Sequence, residues 1–196
     1  MHDGKLTQTE ILSMGWTKTM IDKLLPPPEL VPNSIYRNAA PIKLWNKTDV
    51  LQVMETEDFK LAKEKADKRR DACEKAVKTK EKRLQEECVK KIKLISVKYL
   101  PDETLRRETL DAKQSWNYQH DNCDTSVYGA DEKVIKRWVV NYIRHNLTAY
   151  DRDLYSMSGK VGCNIEYKRY KNAVLDKIAE AYPKYADECE NQKIKY

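Results

Sequence analysis

The sequence predicts a mainly α chain, with a small N-terminal helix–turn–helix and extended loop, one long charged helix, and a C-terminal helical domain. Three observations carry this. Residues Phe59 to Val97 contain neither glycine nor proline, the two residues that most often end a helix. Between Asp131 and Asn146, the residues Val134, Ile135, Trp138, Val139, Tyr142 and Ile143 recur in an i, i+1, i+4, i+5 stripe, which is a core-facing helix pattern. Helix-start signals recur along the chain, whereas Ile42-Lys43-Leu44-Trp45 stands out as an alternating run that reads as a short strand.

The N-terminal segment opens with Thr7-x-x-Glu10, a capping box ahead of the first helix. Gly15 is placed to stop that helix in a left-handed turn. Thr17 caps a second helix through Leu25, with Met20, Ile21, Leu24 and Leu25 on one side. Pro26, Pro27 and Pro28 end it, because proline lacks the amide donor and clashes with the preceding turn. A polar loop leads to the strand, and Asn46 caps a third helix that turns Val50, Leu51, Val53 and Met54 inward.

Helix, tight turn, helix, extended wing, strand and helix make the layout of a small winged helix-turn-helix. The stretch carrying Gly15-Trp16-Thr17, Ile21, Leu24-Leu25, Pro32-Asn33, Pro41 to Trp45 and Asp49-Val50 resembles the DNA-binding domain of MerR-type regulators and phage excisionases. It is also similar to the C-terminal DNA-binding part of the xeroderma pigmentosum group A repair family, where a comparable strand leads into a long basic helix. That family's cysteine zinc module is missing here, so damage recognition does not carry over. The resemblance implies that Thr17, Lys18, Thr19 and Lys23 approach a DNA groove and that Arg37, Lys43 and Lys47 sit on phosphates. Docking of a protein partner is the competing use of such a domain.

The five cysteines (Cys73, Cys88, Cys123, Cys163 and Cys189) are odd in number and widely spaced, with no CxxC pair. They read as free thiols of an intracellular chain, cytoplasmic or, in a eukaryote, nuclear. The sequons at Asn46 and Asn146 then carry no glycosylation. The N-terminus has no basic segment followed by an apolar run, so no secretion signal is expected. No run approaches the ~20 apolar residues of a membrane span, so no membrane partner is expected. Neither a cofactor motif nor a metal-ligand set appears.

The net charge of +6 is unevenly distributed. Residues 1–59 carry −2, residues 60–98 carry +8, and residues 99–196 are neutral. The long helix is therefore the candidate polyanion surface, with Lys68, Arg69 and Arg70 at its most basic point. Its apolar residues recur every eleven positions, as Ala62, Cys73, Leu84 and Ile95, and as Ala66, Val77 and Cys88. Glu64–Lys68, Asp71–Lys75, Glu74–Lys78, Glu86–Lys90 and Glu87–Lys91 are spaced for i,i+4 pairs. The helix is either a basic arm along a duplex or a solvated spacer.

Three domains are expected: 1–58 as the winged helix-turn-helix, 59–98 as the long helix, and 99–196 as a helical domain. In the last, a helix runs from Pro101 to about Trp116 and the stretch from Asn117 to Gly129 reads as a loop. Gly159 and Gly162 flank a hinge, and a final amphipathic helix from about Asn164 to Tyr182 turns Ile165, Tyr170, Val174 and Ile178 inward.

The densest chemistry lies in Arg144-His145-Asn146-Leu147-Thr148-Ala149-Tyr150-Asp151. Its RHxxTxYD pattern is similar to a signature of an uncharacterised bacterial and fungal family of unknown function, over about Trp138 to Tyr182. It implies no activity. Three readings stand side by side. In the structural one, Thr148 and Asp151 open the next helix, His145 sits on a helix C-terminus, and Arg144 pairs with Asp151. In the ligand-binding one, Arg144 holds a phosphate and Tyr150 stacks on a base. In the catalytic one, Asp151 orients His145 as a general base, as in a nuclease.

Functionally, the sequence favours a non-enzymatic protein that binds duplex DNA, with a protein partner for the C-terminal domain. The alternatives are an adaptor whose two helical domains dock proteins and a nuclease centred on His145.

Overall fold

A computed structural model of the chain describes residues 4–33, 40–120 and 127–194. The chain is mainly α, 72% helical with one small antiparallel sheet. It divides into two compact units, Met1–Ala76 and Val77–Tyr196, and the division falls inside the long helix.

The first unit begins with β1 (Lys5–Thr7), α1 (Gln8–Ser13) and α2 (Lys18–Leu24). The Thr7 capping box forms as the sequence predicts: the Glu10 amide donates to Thr7 Oγ1 at 3.3 Å and the Thr7 amide to the Glu10 carboxylate at 2.7 Å. Gly15, at φ +90°, ends α1 in the left-handed region that a side chain resists. Thr17 caps α2 by accepting from the Met20 amide at 3.2 Å. Beyond the prolines, β2 (Glu29–Val31) interrupts what the sequence presented as loop. It pairs with β3 (Ile42–Asn46), which also pairs with β1, giving the sheet order β1-β3-β2.

Then come α3 (Lys47–Met54) and the start of α4 (Glu57–Lys93). Asn46 occupies the N-cap of α3, but its side chain makes no capping bond; it donates to Asp49 Oδ2 at 3.2 Å instead. Leu51, expected inward, is 44% exposed. The core joins Ile11, Trp16, Met20, Ile21, Val50 and Phe59. Ala62 and Ala66 lie against it, so the upper end of the eleven-residue seam is used in packing.

In the second unit, the α4 end contributes Leu84 and Cys88 to a larger core. From Lys68 to Arg83 every residue of α4 is exposed, so Cys73 and Val77 of the seam bury nothing. The helix ends at Lys93, short of the expected Val97. Residues 95–100 form neither helix nor strand ahead of Pro101, and Ile95, Val97 and Leu100 pack on the core from that segment. Of the expected i,i+4 pairs, Glu64–Lys68 forms at 2.5 Å. Glu87 bonds Lys160 at 2.7 Å and Lys91 bonds Asp153 at 3.3 Å, partners brought by the tertiary fold.

Among the described residues five helices complete the unit: α5 (Asp102–Gln119), α6 (Glu132–Asn146), α7 (Tyr150–Met157), α8 (Cys163–Ala181) and, after a 3-10 turn, α9 (Ala186–Gln192). α5 therefore takes Asn117, Tyr118 and Gln119 from the expected loop. Ile135, Val139, Val140 and Ile143 of α6 face Tyr170, Val174, Leu175 and Ile178 of α8 in the core. Two residues expected inward are not: Val134 is 40% and Ile165 58% exposed, each lying on the solvent edge of its stripe. Gly159 and Gly162 both take positive φ in the turn between α7 and α8. Cys73, Cys88, Cys163 and Cys189 are free thiols, and Cys123 lies outside the described residues. Among the described residues no helix is long and apolar enough to cross a membrane.

Candidate nucleic-acid interface

In the first unit, α2 and the first turns of α4 border an open groove of about 630 Å3. Its floor is apolar, from Met20 and Leu24 on one side and Ala62 and Ala66 on the other. Its rim carries Thr17, Thr19 and Lys23 from α2 against Lys65 and Arg69 from α4, with Asp58 as the acidic member. Three cations against one carboxylate leave the rim positive. The spacing follows from helix geometry: Asp58, Ala62, Lys65 and Arg69 are three or four apart and share one face.

Of the residues expected to meet DNA, the structure gathers Thr17, Thr19, Lys23 and Arg69 around this groove. Thr17 spends its hydroxyl on the α2 cap. Lys18 is exposed at the first position of α2 but does not border the groove. Lys43 is exposed on β3 opposite Leu30 in register, and Lys47 opens α3 with its backbone amide on Gly4 O at 2.9 Å. Lys68 is held by Glu64, and Arg70 by Asp67 at 2.9 Å. Arg37 lies outside the described residues. Lys65 is the rim member that the sequence reading missed; its place one turn before Arg69 was the available signal.

The second candidate site lies at the corner between α6 and α7. His145 Nδ1 is 2.9 Å from both carboxylate oxygens of Asp151, and its Nε2 is 3.1 Å from Arg144 Nη2. A guanidinium only donates, so Nε2 accepts and Nδ1 carries the proton given to Asp151. Arg144 reaches Asn141 Oδ1 at 3.1 Å and Gln192 Oε1 at 3.3 Å, and its guanidinium lies 5.1 Å from the Tyr150 ring centroid. Two expectations of the structural reading change here. Asp151 pairs with His145 rather than with Arg144, and the N-cap of α7 is Ala149, not Thr148. The Thr148 hydroxyl instead donates to Arg144 O at 2.6 Å and accepts from the Tyr150 amide at 3.1 Å, latching the two helices. Tyr150 is buried, and burial first, then its contact with Tyr167, pushes its hydroxyl well above the ordinary value.

This geometry bears on the chemistry of the corner. A general base needs a free lone pair, and the Nε2 lone pair of His145 is taken by Arg144. Among the described residues, no group of three or more His, Cys, Asp or Glu side chains gathers where a metal ion could sit. Comparison with protein-family models, curated proteins and solved structures gives no match.

Proposed function

We propose that the chain is a non-enzymatic DNA-binding protein whose first unit is a winged helix-turn-helix. The observation that carries this is the groove itself, which sets α2 beside the first turns of α4 and gathers Lys23, Lys65 and Arg69 around its rim. Beyond it, the fully exposed stretch from Lys68 to Arg83 holds eight basic and three acidic residues. Exposed on every side over that length, the helix offers a net positive surface on which a polyanion can release counterions. In this reading the paired strands β2 and β3 serve as the wing.

The test is a fluorescence anisotropy titration of the intact chain with a short duplex, comparing it with Lys23→Glu/Arg69→Glu. The double change is expected to weaken binding at least tenfold. Unaltered affinity, or none in the parent at low salt, removes the reading. A second reading, docking of a helix from a partner protein, is favoured by Leu61, a groove residue 52% exposed. It predicts that Leu61→Asp abolishes partner binding while duplex affinity stays within twofold.

A further inference from the structure

We propose that the cleft between α5 and α6 in the second unit binds a nucleotide, its phosphate on Lys113 and Arg144 and its base against the indoles of Trp116 and Trp138. The cleft encloses about 680 Å3, within the size range of small-molecule sites. It is separate from the groove of the first unit and does not depend on it.

Three features converge. The first is charge without counter-charge. Lys113, Arg137 and Arg144 border the cleft, no acidic residue does, and none of the three has a carboxylate within ion-pair distance among the described residues. The acids nearby have other partners: Glu132 pairs with Arg106, Asp151 with His145, Glu188 accepts from Gln192 Nε2, and Glu108 accepts from the hydroxyl of Tyr142, itself a cleft residue. Burial lowers the pKa of Lys113, as expected for an ammonium partly stripped of water with no anion beside it.

The second feature is polarity left open. Thr109 is 1% exposed and borders the cleft, yet its hydroxyl makes no hydrogen bond within the described chain. Arg144 Nε, at the same cleft, is also buried without a partner. Buried polar groups in folded proteins are nearly always satisfied, so two orphan atoms on residues that line one cleft point to a polar ligand there.

The third feature is the aromatic wall. Lys113 Nζ lies 3.8 Å from the Trp116 ring centroid and 5.8 Å from that of Trp138, so one ammonium caps both indoles. His120 stacks on Trp116 at 4.1 Å and is fixed there by its Nδ1–H on Trp116 O at 2.8 Å. An ammonium over an indole is a weak arrangement near water. A phosphate draws Lys113 off the ring, and the face it leaves takes a flat base. A nucleotide satisfies all three features at once, whereas an inorganic anion leaves the indoles unused.

The experiment is isothermal titration of the intact protein with adenosine 5′-monophosphate, adenosine, inorganic phosphate and a ten-residue single-stranded oligonucleotide. Indole N–H shifts of Trp116 and Trp138 are followed by NMR in parallel. The expected result is binding of the monophosphate at least tenfold tighter than adenosine or inorganic phosphate, with both indole signals moving. Lys113→Gln and Arg144→Gln each weaken it at least tenfold, and Thr109→Val several-fold. Lys113 is on the α5 surface, so its variant reports even if Arg144→Gln is destabilised. The oligonucleotide arm separates the sources: tighter binding per site than the monophosphate assigns the ligand to an unpaired residue of a strand, and equal or weaker binding assigns it to a free nucleotide. The proposal is overturned by no heat and no indole shift with either nucleotide form, by equal affinity for inorganic phosphate, or by affinity that survives Lys113→Gln and Arg144→Gln but is lost in Lys23→Glu/Arg69→Glu.

Discussion

The Tyr170 hydroxyl donates to Asp153 Oδ2 at 2.6 Å, and Lys91 reaches Asp153 Oδ1 at 3.3 Å. One buried carboxylate thereby ties the end of α4 to α7 and α8. Exposed Arg152, its neighbour in sequence, also lies 3.6 Å from Oδ1, and the two partners from other helices are unequal. Tyr170 is 1% exposed, while the Lys91 side chain keeps 21% of its surface in water. Asp153→Ala strands both at once and is expected to cost roughly 2–3 kcal/mol, below the ~3–5 kcal/mol of a fully buried pair. Tyr170→Phe leaves Lys91 on the carboxylate and is expected to cost about 1 kcal/mol. Urea denaturation midpoints measure both, and equal losses would show that Lys91 contributes nothing.

The second unit is expected to lose stability in alkali. Burial pushes the Cys88 thiol up to about 12 and Cys189 up to about 11, from an ordinary 9.0, and it also raises Tyr150 and Tyr170 above their ordinary 10.0. In the unfolded chain these groups ionise first, so above pH 9 the unfolded state holds fewer protons than the folded one. Stability must then fall as pH rises. Their contribution is fully present below pH 9 and is lost as pH climbs through the raised values. Urea midpoints at pH 7.5, 9.5 and 11 are expected to decline in that order, with the steeper step above 9.5. A flat series would mean that these side chains are not buried in solution.

Duplex binding is expected to depend steeply on salt. Under the proposed reading, the cations of α2 and early α4 that meet phosphates are Lys18, Lys23, Lys65, Lys68, Arg69 and Arg70. Neutralising about six phosphates gives a slope of log affinity against log salt near −5. Reversing Lys23 and Arg69 is expected to flatten it by about two. A slope above −2 in the parent would remove the electrostatic part of the reading.

The local signals were legible and the tertiary ones were not. Thr7 with Glu10, Gly15, and Thr17 act within a few residues, so their caps and turn form as the sequence predicts. β1 and β2 are three residues each and owe their existence to register with β3, which no local pattern records. Val134 and Ile165 fit the helical stripes yet stay exposed, because a stripe gives the face and not the width of what covers it. Asn46 and Thr148 have capping residue types but find other partners nearby. For the groove, residue type and helix position pointed to Thr17, Thr19, Lys23 and Arg69, but their meeting required α2 to pack on α4. The α5–α6 cleft was invisible, since Thr109 and Lys113 acquire meaning only beside Trp138 and Arg144.

The chain of bonds Asp151–His145–Arg144 fixes one tautomer. Arg144 supplies a donor to Nε2, so neutral His145 carries its proton on Nδ1, facing two carboxylate oxygens at 2.9 Å. Free histidine favours the opposite tautomer in water, which makes the assignment a test of the corner. Long-range 1H–15N spectra of the intact protein at pH 8 are expected to show a protonated Nδ1 and an unprotonated Nε2 for His145. Arg144→Gln is expected to let the ring drift toward the other form, and Asp151→Asn to do so more strongly because it removes the carboxylate that holds the proton. If the parent instead carries its proton on Nε2, Arg144 is not donating there and the lone pair on Nδ1 is against a carboxylate. The corner would then have to be built on a protonated or rotated ring, and Arg144 would be free to turn wholly toward the α5–α6 cleft.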